Sequence, residues 1–227
     1  MPNIKIVKAK TKEFQNKITA KKALKILKDG NKRFLKNMSL NRVRIDNVAQ
    51  TKNGQFPIAV ILSCIDSRVP VEIIFDQCIG DLFSVKVAGN IVNEDVLGSI
   101  EYACKFVNVK LVVVLGHTSC GAVMGACDNL KAGNLTVLLD KIKPVIKKTP
   151  TNENEQRNSK NTDFVNAVAL NNVMHVKDEI LLKSEILKEL NNNKSIKIVT
   201  AMYDVSTGKV DFIKKIINDD KKQKIWI

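Results

Sequence analysis

KLVVVLG (110–116) sets five apolar residues in a row, three of them valine, and closes on a glycine. β-Branched side chains suit a pleated surface, and a run without polar alternation suits a strand covered on both faces. Working outward, PIAVILS (57–63) and LFSVKV (82–87) read as fully buried strands in the same way, and IKIVTAMY (196–203) reads as a fourth strand. Between and after them the hydrophobic period lengthens to that of helices: NEDVLGSIEYACKFV (93–107), CGAVMGACDNL (120–130), LTVLLDKIKPVIKK (135–148) and TDFVNAVALNNVMHVKDEILLKSEILKEL (162–190). Strands alternating with helices predict an α/β fold with a mostly parallel central sheet flanked by helices. TPTNENEQRNSKN (149–161) is read as a surface loop. With no internal repeat and no clear boundary, residues 1–227 are taken as a single domain, a helical arm over 1–50 leading into a core over 51–227. In the arm, Ala23, Leu24, Leu27, Phe34 and Leu35 recur at three- and four-residue steps within 19–37. That predicts an amphipathic helix, interrupted or bent near Gly30, that packs on something other than its own domain.

Composition narrows the function classes. A chain of 227 residues, 44% hydrophobic and 26% charged, can bury a real core in one or at most two domains. Its longest uncharged apolar stretch, 56–65, is half of the ~20 residues a membrane-spanning helix needs. The first residues carry no apolar block of the signal-peptide kind, so a cytoplasmic protein with no membrane partner is expected. The net charge of +14 invites a nucleic-acid reading, but the 37 basic residues are 32 Lys and 5 Arg, spread along the chain, and aromatics are only 5%. Nucleic-acid readers concentrate Arg forks and stacking aromatics on one face, so no nucleic-acid partner is expected. Five cysteines are an odd count, better suited to reduced thiols or metal ligands than to a disulfide scaffold.

Open parallel sheets put functional groups at the carboxyl ends of their strands. The first strand runs out into Ser63-Cys64-Ile65-Asp66-Ser67-Arg68 and the third into His117-Thr118-Ser119-Cys120-Gly121. Thiolate and imidazole are donors that zinc prefers, and the three-residue step from His117 to Cys120 at the start of a helix sets both on one side. Cys64 supplies a third ligand, the number expected of a catalytic zinc that keeps one position open. Taken singly these features are bland. A buried cysteine at a strand end is usually structural, which is the reading kept for Cys78, Cys104 and Cys127. Asp66 and Arg68, two apart, would ordinarily form a solvated ion pair worth ~0–1 kcal/mol. His175, mid-helix among polar residues, reads as a surface histidine. What separates Cys64, His117 and Cys120 from these is convergence on the ends of two strands expected to be neighbours.

CIDSR (64–68) followed by GHTSCGA (116–122) resembles the zinc motifs C-x-D-S-R and H-x-x-C of the β-class carbonic anhydrases. The likeness extends through ALKILKDGNKRF (23–34), GQFP (54–57), RVPVEIIFD (68–76), GDLF (80–83), AGN (88–90), GSIEYA (98–103) and YDVSTGKVDF (203–212), most of the chain. The resemblance implies one Zn2+ per chain held by Cys64, His117 and Cys120, with Asp66 and Arg68 as a dyad beside it. It implies that Gln55 hydrogen-bonds substrate, that Phe83, Ala88 and Tyr102 line an apolar pocket, and that Gly121 lets a helix start close to the metal. The activity implied is reversible hydration of carbon dioxide to bicarbonate and a proton by zinc-bound hydroxide, in a homodimer or tetramer whose N-terminal arm packs on a partner subunit. Hydrolysis of carbon disulfide or carbonyl sulfide on the same fold is the alternative within the family. A non-catalytic zinc or nucleic-acid-binding protein is the alternative outside it. Asp66 also lies close enough in sequence to serve as a fourth ligand in a closed state, with Arg68 as its competing partner; the open state is expected near neutral pH. Ile61 and Lys86 stand where family members with a second bicarbonate site carry Trp and Arg, although Tyr203 matches the third member of that site. For release of the proton, His175, tyrosine, solvent and buffer are all open routes.

Overall fold

The computed structural model describes residues 7–40 and 42–213. Three helices, α1 (Lys12–Lys17), α2 (Ala20–Leu35) and α3 (Arg44–Thr51), precede the first strand, β1 (Ala59–Ser63). The core continues through α4 (Val71–Ile74), β2 (Leu82–Lys86), α5 (Glu94–Glu101) and β3 (Leu111–His117). It ends with α6 (Gly121–Cys127), α7 (Gly133–Asp140), α8 (Lys143–Lys148), α9 (Thr162–Lys183), α10 (Glu185–Asn192), β4 (Lys197–Tyr203) and β5 (Val210–Ile213). The sheet order is β2-β1-β3-β4-β5, parallel except for β5, which pairs antiparallel with β4. No helix among the described residues is long and apolar enough to cross a membrane.

Because side chains alternate across a strand, each strand feeds two cores. Val60 and Leu62 of β1 and Val112 and Val114 of β3 join Val96, Val123, Val168 and Val173 from α5, α6 and α9. Ala59, Ile61, Leu111, Val113 and Leu115 point the other way, onto Ala23 and Leu27 of α2 and Val71 and Ile74 of α4. All seven positions of β3 are buried, as its unbroken apolar run predicts. β2 differs from the expectation. It is an edge strand, and Ser84 and Lys86 alternate outward to solvent.

Other departures have local causes. The helix expected over 162–190 breaks at Ser184, whose backbone is extended and whose hydroxyl accepts the Leu187 N–H to cap α10. The pattern over 135–148 divides into α7 and α8, with Pro144 in the first turn of α8, where its missing N–H costs nothing. α5 ends in a wide π turn over Tyr102–Phe106.

Gly30 does not interrupt α2, which runs unbroken from its Thr19 cap. A Cβ there would lie 1.8 Å from the Phe75 carbonyl oxygen, so glycine is needed for close approach rather than for a bend. Its neighbour Asn31 is buried and donates to the carbonyls of Ile74 and Gly208 while accepting the Val210 N–H. Ala23 and Leu27 are fully buried against the sheet. A buried leucine contributes about 1.5–3 kcal/mol, more than the ~0–1 kcal/mol of an exposed pair such as Lys25 with Asp29. The Ala23 and Leu27 stripe of the arm is therefore spent on its own domain, while Leu35 on the same helix is 43% exposed.

The chain order places β2 and β3 on opposite sides of β1, so the connections leaving β1 and entering β3 diverge between those two strands. Such a switch point opens a crevice at the carboxyl ends of the strands, here at Ser63 and His117.

Candidate metal centre

β1 and β3 pair in parallel with Ser63 opposite Leu115, which brings the residue just past β1, Cys64, beside the last residue of β3, His117. Cys120 caps the start of α6 three residues later. The Sγ atoms of Cys64 and Cys120 are 3.9 Å apart, and the ligand atoms of Cys64, His117 and Cys120 all lie within 4.8 Å of one another. All three residues are buried. The His117 Nδ1 sits 2.9 Å from the Thr118 carbonyl oxygen, a contact that assigns the ring proton to Nδ1. Nε2 is then a bare lone pair, and it has no hydrogen-bond partner among the described residues.

A buried acceptor without a donor is costly, and a cation bound by the two thiols and the imidazole removes that cost. The donor set also has the right dimensions for zinc. Two sulfurs at about 2.3 Å from one tetrahedral ion stand roughly 3.8 Å apart, close to the separation seen here. The protonation pattern agrees. The Cys120 thiol donates to Cys64, and with the backbone N–H groups of Asp66 and Gly89 it holds the Cys64 thiol well below its ordinary pKa despite burial. Cys120 is driven up by the same hydrogen bond and by burial. The pair thus keeps one proton between two sulfurs, the proton a metal ion would displace.

Asp66 stands at the edge of this triangle, its Oδ2 3.9 Å from His117 Nε2. Arg68 grips it with a fork, Nε to Oδ1 at 3.0 Å and Nη2 to Oδ2 at 2.8 Å, and adds its backbone N–H to Oδ1 at 2.9 Å. These bonds hold the Asp66 carboxyl well below the usual carboxylate range. The Arg68 Nη2 also reaches the Ser119 carbonyl at 3.4 Å, tying the dyad to the turn between His117 and Cys120. In this arrangement the carboxylate is engaged by arginine and stays outside the Cys64–His117–Cys120 group.

A cavity of about 280 Å³ opens beside the triangle, lined by Cys64, Ile65, Asp66, Ala88, Gly121 and Leu139 among others. Ala88 and Gly121 therefore join Cys64 and Asp66 at this cavity. A Cβ on Gly121 would meet nothing within 4 Å, so its absence leaves room in the cavity rather than relieving a clash. Gln55, Phe83 and Tyr102 are not among the lining residues of this one chain. Gln55 is exposed, and Tyr102, 57% exposed, sits with Phe83 at 6.5 Å and Phe106 at 6.1 Å in an aromatic row at the surface. Lys86 donates to the carbonyls of Val69 and Asp66, and Ile61 is fully buried under α2, while Tyr203 is buried at the end of β4. His175 is half-buried, at a separate open cavity shared with Lys141, Glu179 and Lys183 and away from the candidate metal site. Cys78 and Cys104 are buried and Cys127 is half-buried; desolvation raises all three thiols, to about 12 for Cys104 and about 11 for Cys127. They are inert packing thiols.

The residues that support Cys64, His117 and Cys120 carry little mark in the sequence. Gly89 donates its N–H to Cys64 Sγ at 3.4 Å and is itself held at its carbonyl by Asn172 of α9. Asn166 of α9 accepts the Ser119 N–H at 2.9 Å. Nothing in a helical pattern marks an asparagine as reaching a turn some fifty or eighty residues away; only Gly89, inside the AGN motif, carried a local signal.

The profile of the carbonic anhydrase family matches residues 59–210, two-thirds of the chain and every element from β1 into β5. A carbonic anhydrase of Mycobacterium tuberculosis, carbonic anhydrase 2, is 50% identical over 114 residues, 50% of this chain and 55% of that protein. A carbonic anhydrase of Helicobacter pylori is 28% identical over 178 residues, 70% of this chain and 77% of that one. Among solved structures, a β-carbonic anhydrase from Sordaria macrospora, described as one of two tetrameric enzymes, superposes with a TM-score of 0.64 at 25% identity over 72% of this chain and 84% of that one. The chain spans about half the length of the mycobacterial relatives it matches.

Proposed function

This chain belongs to the β-carbonic anhydrase family, and from that premise we propose that it catalyses the reversible hydration of carbon dioxide to bicarbonate and a proton with one zinc ion per chain. The observation that carries the proposal is the buried, unpartnered His117 Nε2 facing two buried thiols at ligand spacing. Zinc held by Cys64, His117 and Cys120 supplies the Lewis acidity that makes hydroxide available near neutral pH. The remaining work falls to the protein. The Thr118 carbonyl keeps the His117 proton on Nδ1 and so keeps Nε2 free to bind metal. Arg68 keeps Asp66 ionised and engaged, so that with a metal on Cys64, His117 and Cys120 a position would remain for the nucleophile. Asp66 Oδ2, 3.9 Å from His117 Nε2 and held ionised by Arg68, would orient the nucleophile by accepting its hydrogen bond. Ala88 and Gly121 leave an apolar space for a small linear substrate and exclude competing hydrogen bonds to it.

Gln55, Phe83 and Tyr102 lie outside the cavity of their own chain, and we assign them to the cavity of a neighbouring copy in a homodimer or tetramer. The exposed rings of Tyr102 and Phe106, in a row with the half-buried Phe83 of the edge strand β2, support this, because apolar groups so placed gain from being covered. Light scattering is expected to read a dimer or larger assembly, and a fully active monomer would contradict it.

The substrate is tested by rates on carbon dioxide, carbonyl sulfide and carbon disulfide with one zinc-loaded preparation. Carbon dioxide is expected to turn over far faster than either. Fast turnover of a sulfur substrate with negligible carbon dioxide hydration would move the activity to the other branch of the family, and no turnover with zinc bound would leave a non-catalytic metal site.

A further inference from the structure

Building on the metal centre proposed above, we infer that α9 sets the geometry of both ligand-bearing turns through two positioning residues, Asn166 and Asn172. Ser119 lies between His117 and Cys120 with φ of +52°, a left-handed conformation that a serine adopts only when its surroundings hold it there. Two groups hold it there. Asn166 Oδ1 accepts the Ser119 N–H at 2.9 Å, and Arg68 donates to the Ser119 carbonyl from the other side. The shape of that turn fixes how far His117 Nε2 stands from Cys120 Sγ, so Asn166 acts on the ligand pair through the backbone.

Asn172, six residues further along α9, does the same for Cys64. Its Nδ2 donates to the Gly89 carbonyl at 2.9 Å, and the Gly89 N–H donates to Cys64 Sγ at 3.4 Å. Gly89 has φ of +66°, and a Cβ there would meet Ile142 at 2.8 Å, so its turn has a single fitted position. An N–H donated to a thiolate also draws charge from the sulfur, which tunes the acidity of a bound metal. Both asparagines project from one 22-residue helix packed along β3 and β4, a rigid element on which to build ligand spacing.

The two contacts have opposite polarity: position 166 must accept and position 172 must donate. Asn166→Asp keeps the acceptor and Asn166→Ala removes it, whereas Asn172→Leu removes the donor. Zinc affinity of the full chain is measured by competition with a chromophoric chelator, and cobalt(II) is substituted to read the sulfur-to-metal charge-transfer band. Asn166→Ala is expected to weaken zinc binding by about 10–100-fold while Asn166→Asp stays within about threefold of wild type, the range typical of groups that orient ligands. Asn172→Leu is expected to weaken binding similarly and to shift the cobalt band. Circular dichroism of the metal-free proteins checks folding; should Asn172→Leu unfold because the site is fully buried, the half-exposed Asn166 pair decides alone. Wild-type affinity in Asn166→Ala, or equal loss in Asn166→Asp and Asn166→Ala, overturns the inference. A wild-type protein that binds no zinc overturns the metal centre itself.

Discussion

Cys64→Ser is expected to lose its zinc and, with it, more than about a hundredfold of hydration activity, since loss of a direct ligand outweighs the 10–100-fold typical of groups that only orient ligands. The substitution is nearly isosteric, so packing is little changed. What changes is the donor. The Cys64 thiol is held below its ordinary pKa by Cys120 and backbone N–H groups, whereas a serine hydroxyl in the same place stays protonated and binds zinc weakly. The loss also leaves His117 Nε2 as a buried acceptor with no partner, the condition that metal binding relieves. Elemental analysis and stopped-flow hydration on the variant give both readouts. Full zinc content at an unchanged rate would remove Cys64 from the site.

Arg68→Ala is expected to behave differently, keeping the metal but losing at least about a hundredfold in rate, the scale of removing a preorganised charged group from an active site. Arg68 is half exposed, so its removal should change stability little. Its two side-chain bonds are what keep the Asp66 carboxylate turned away from the triangle. Freed of them, a carboxylate 3.9 Å from His117 Nε2 can reach the fourth coordination position, where oxygen is an acceptable zinc ligand. Arg68→Lys should recover little, because a single ammonium cannot reproduce the fork. Zinc content near one per chain with a collapsed rate is the expected pair of results. An Arg68→Ala enzyme that retains full activity would mean the dyad does not control access to the metal.

The ease with which these residues could be read from the sequence has a physical basis. Cys64 and His117 follow the most apolar strands in the chain, and β-branched runs of that kind can only be central in a sheet; once the strands are neighbours, their carboxyl ends must meet. Asp66 and Arg68 lie within four residues of Cys64, but their spacing alone reads as a solvated ion pair; the resemblance of CIDSR to the family motif is what implied a dyad beside the metal. β2 misled because LFSVKV is apolar enough for a buried strand, and its edge position is a property of strand order rather than of composition. Gly30 misled for a related reason. Glycine usually weakens a helix, but here the neighbouring carbonyl of Phe75, forty-five residues away, requires it. Asn166 and Asn172 carried no signal at all, since their partners, Ser119 and Gly89, become neighbours only after α9 docks on the sheet. Gln55, Phe83 and Tyr102 lie outside the cavity of their own chain, so their proposed role can be read only from an assembly of two copies.

The most direct test of the central claim is stopped-flow carbon dioxide hydration by one preparation in three states: zinc-loaded, stripped by chelator, and restored with one equivalent of zinc per chain. The loaded protein should accelerate hydration far above buffer, the stripped protein should fall to the buffer rate while staying folded, and restoration should return the rate in proportion to zinc bound. Hydration that survives complete removal of zinc, or none in protein carrying one zinc on Cys64, His117 and Cys120, would contradict it.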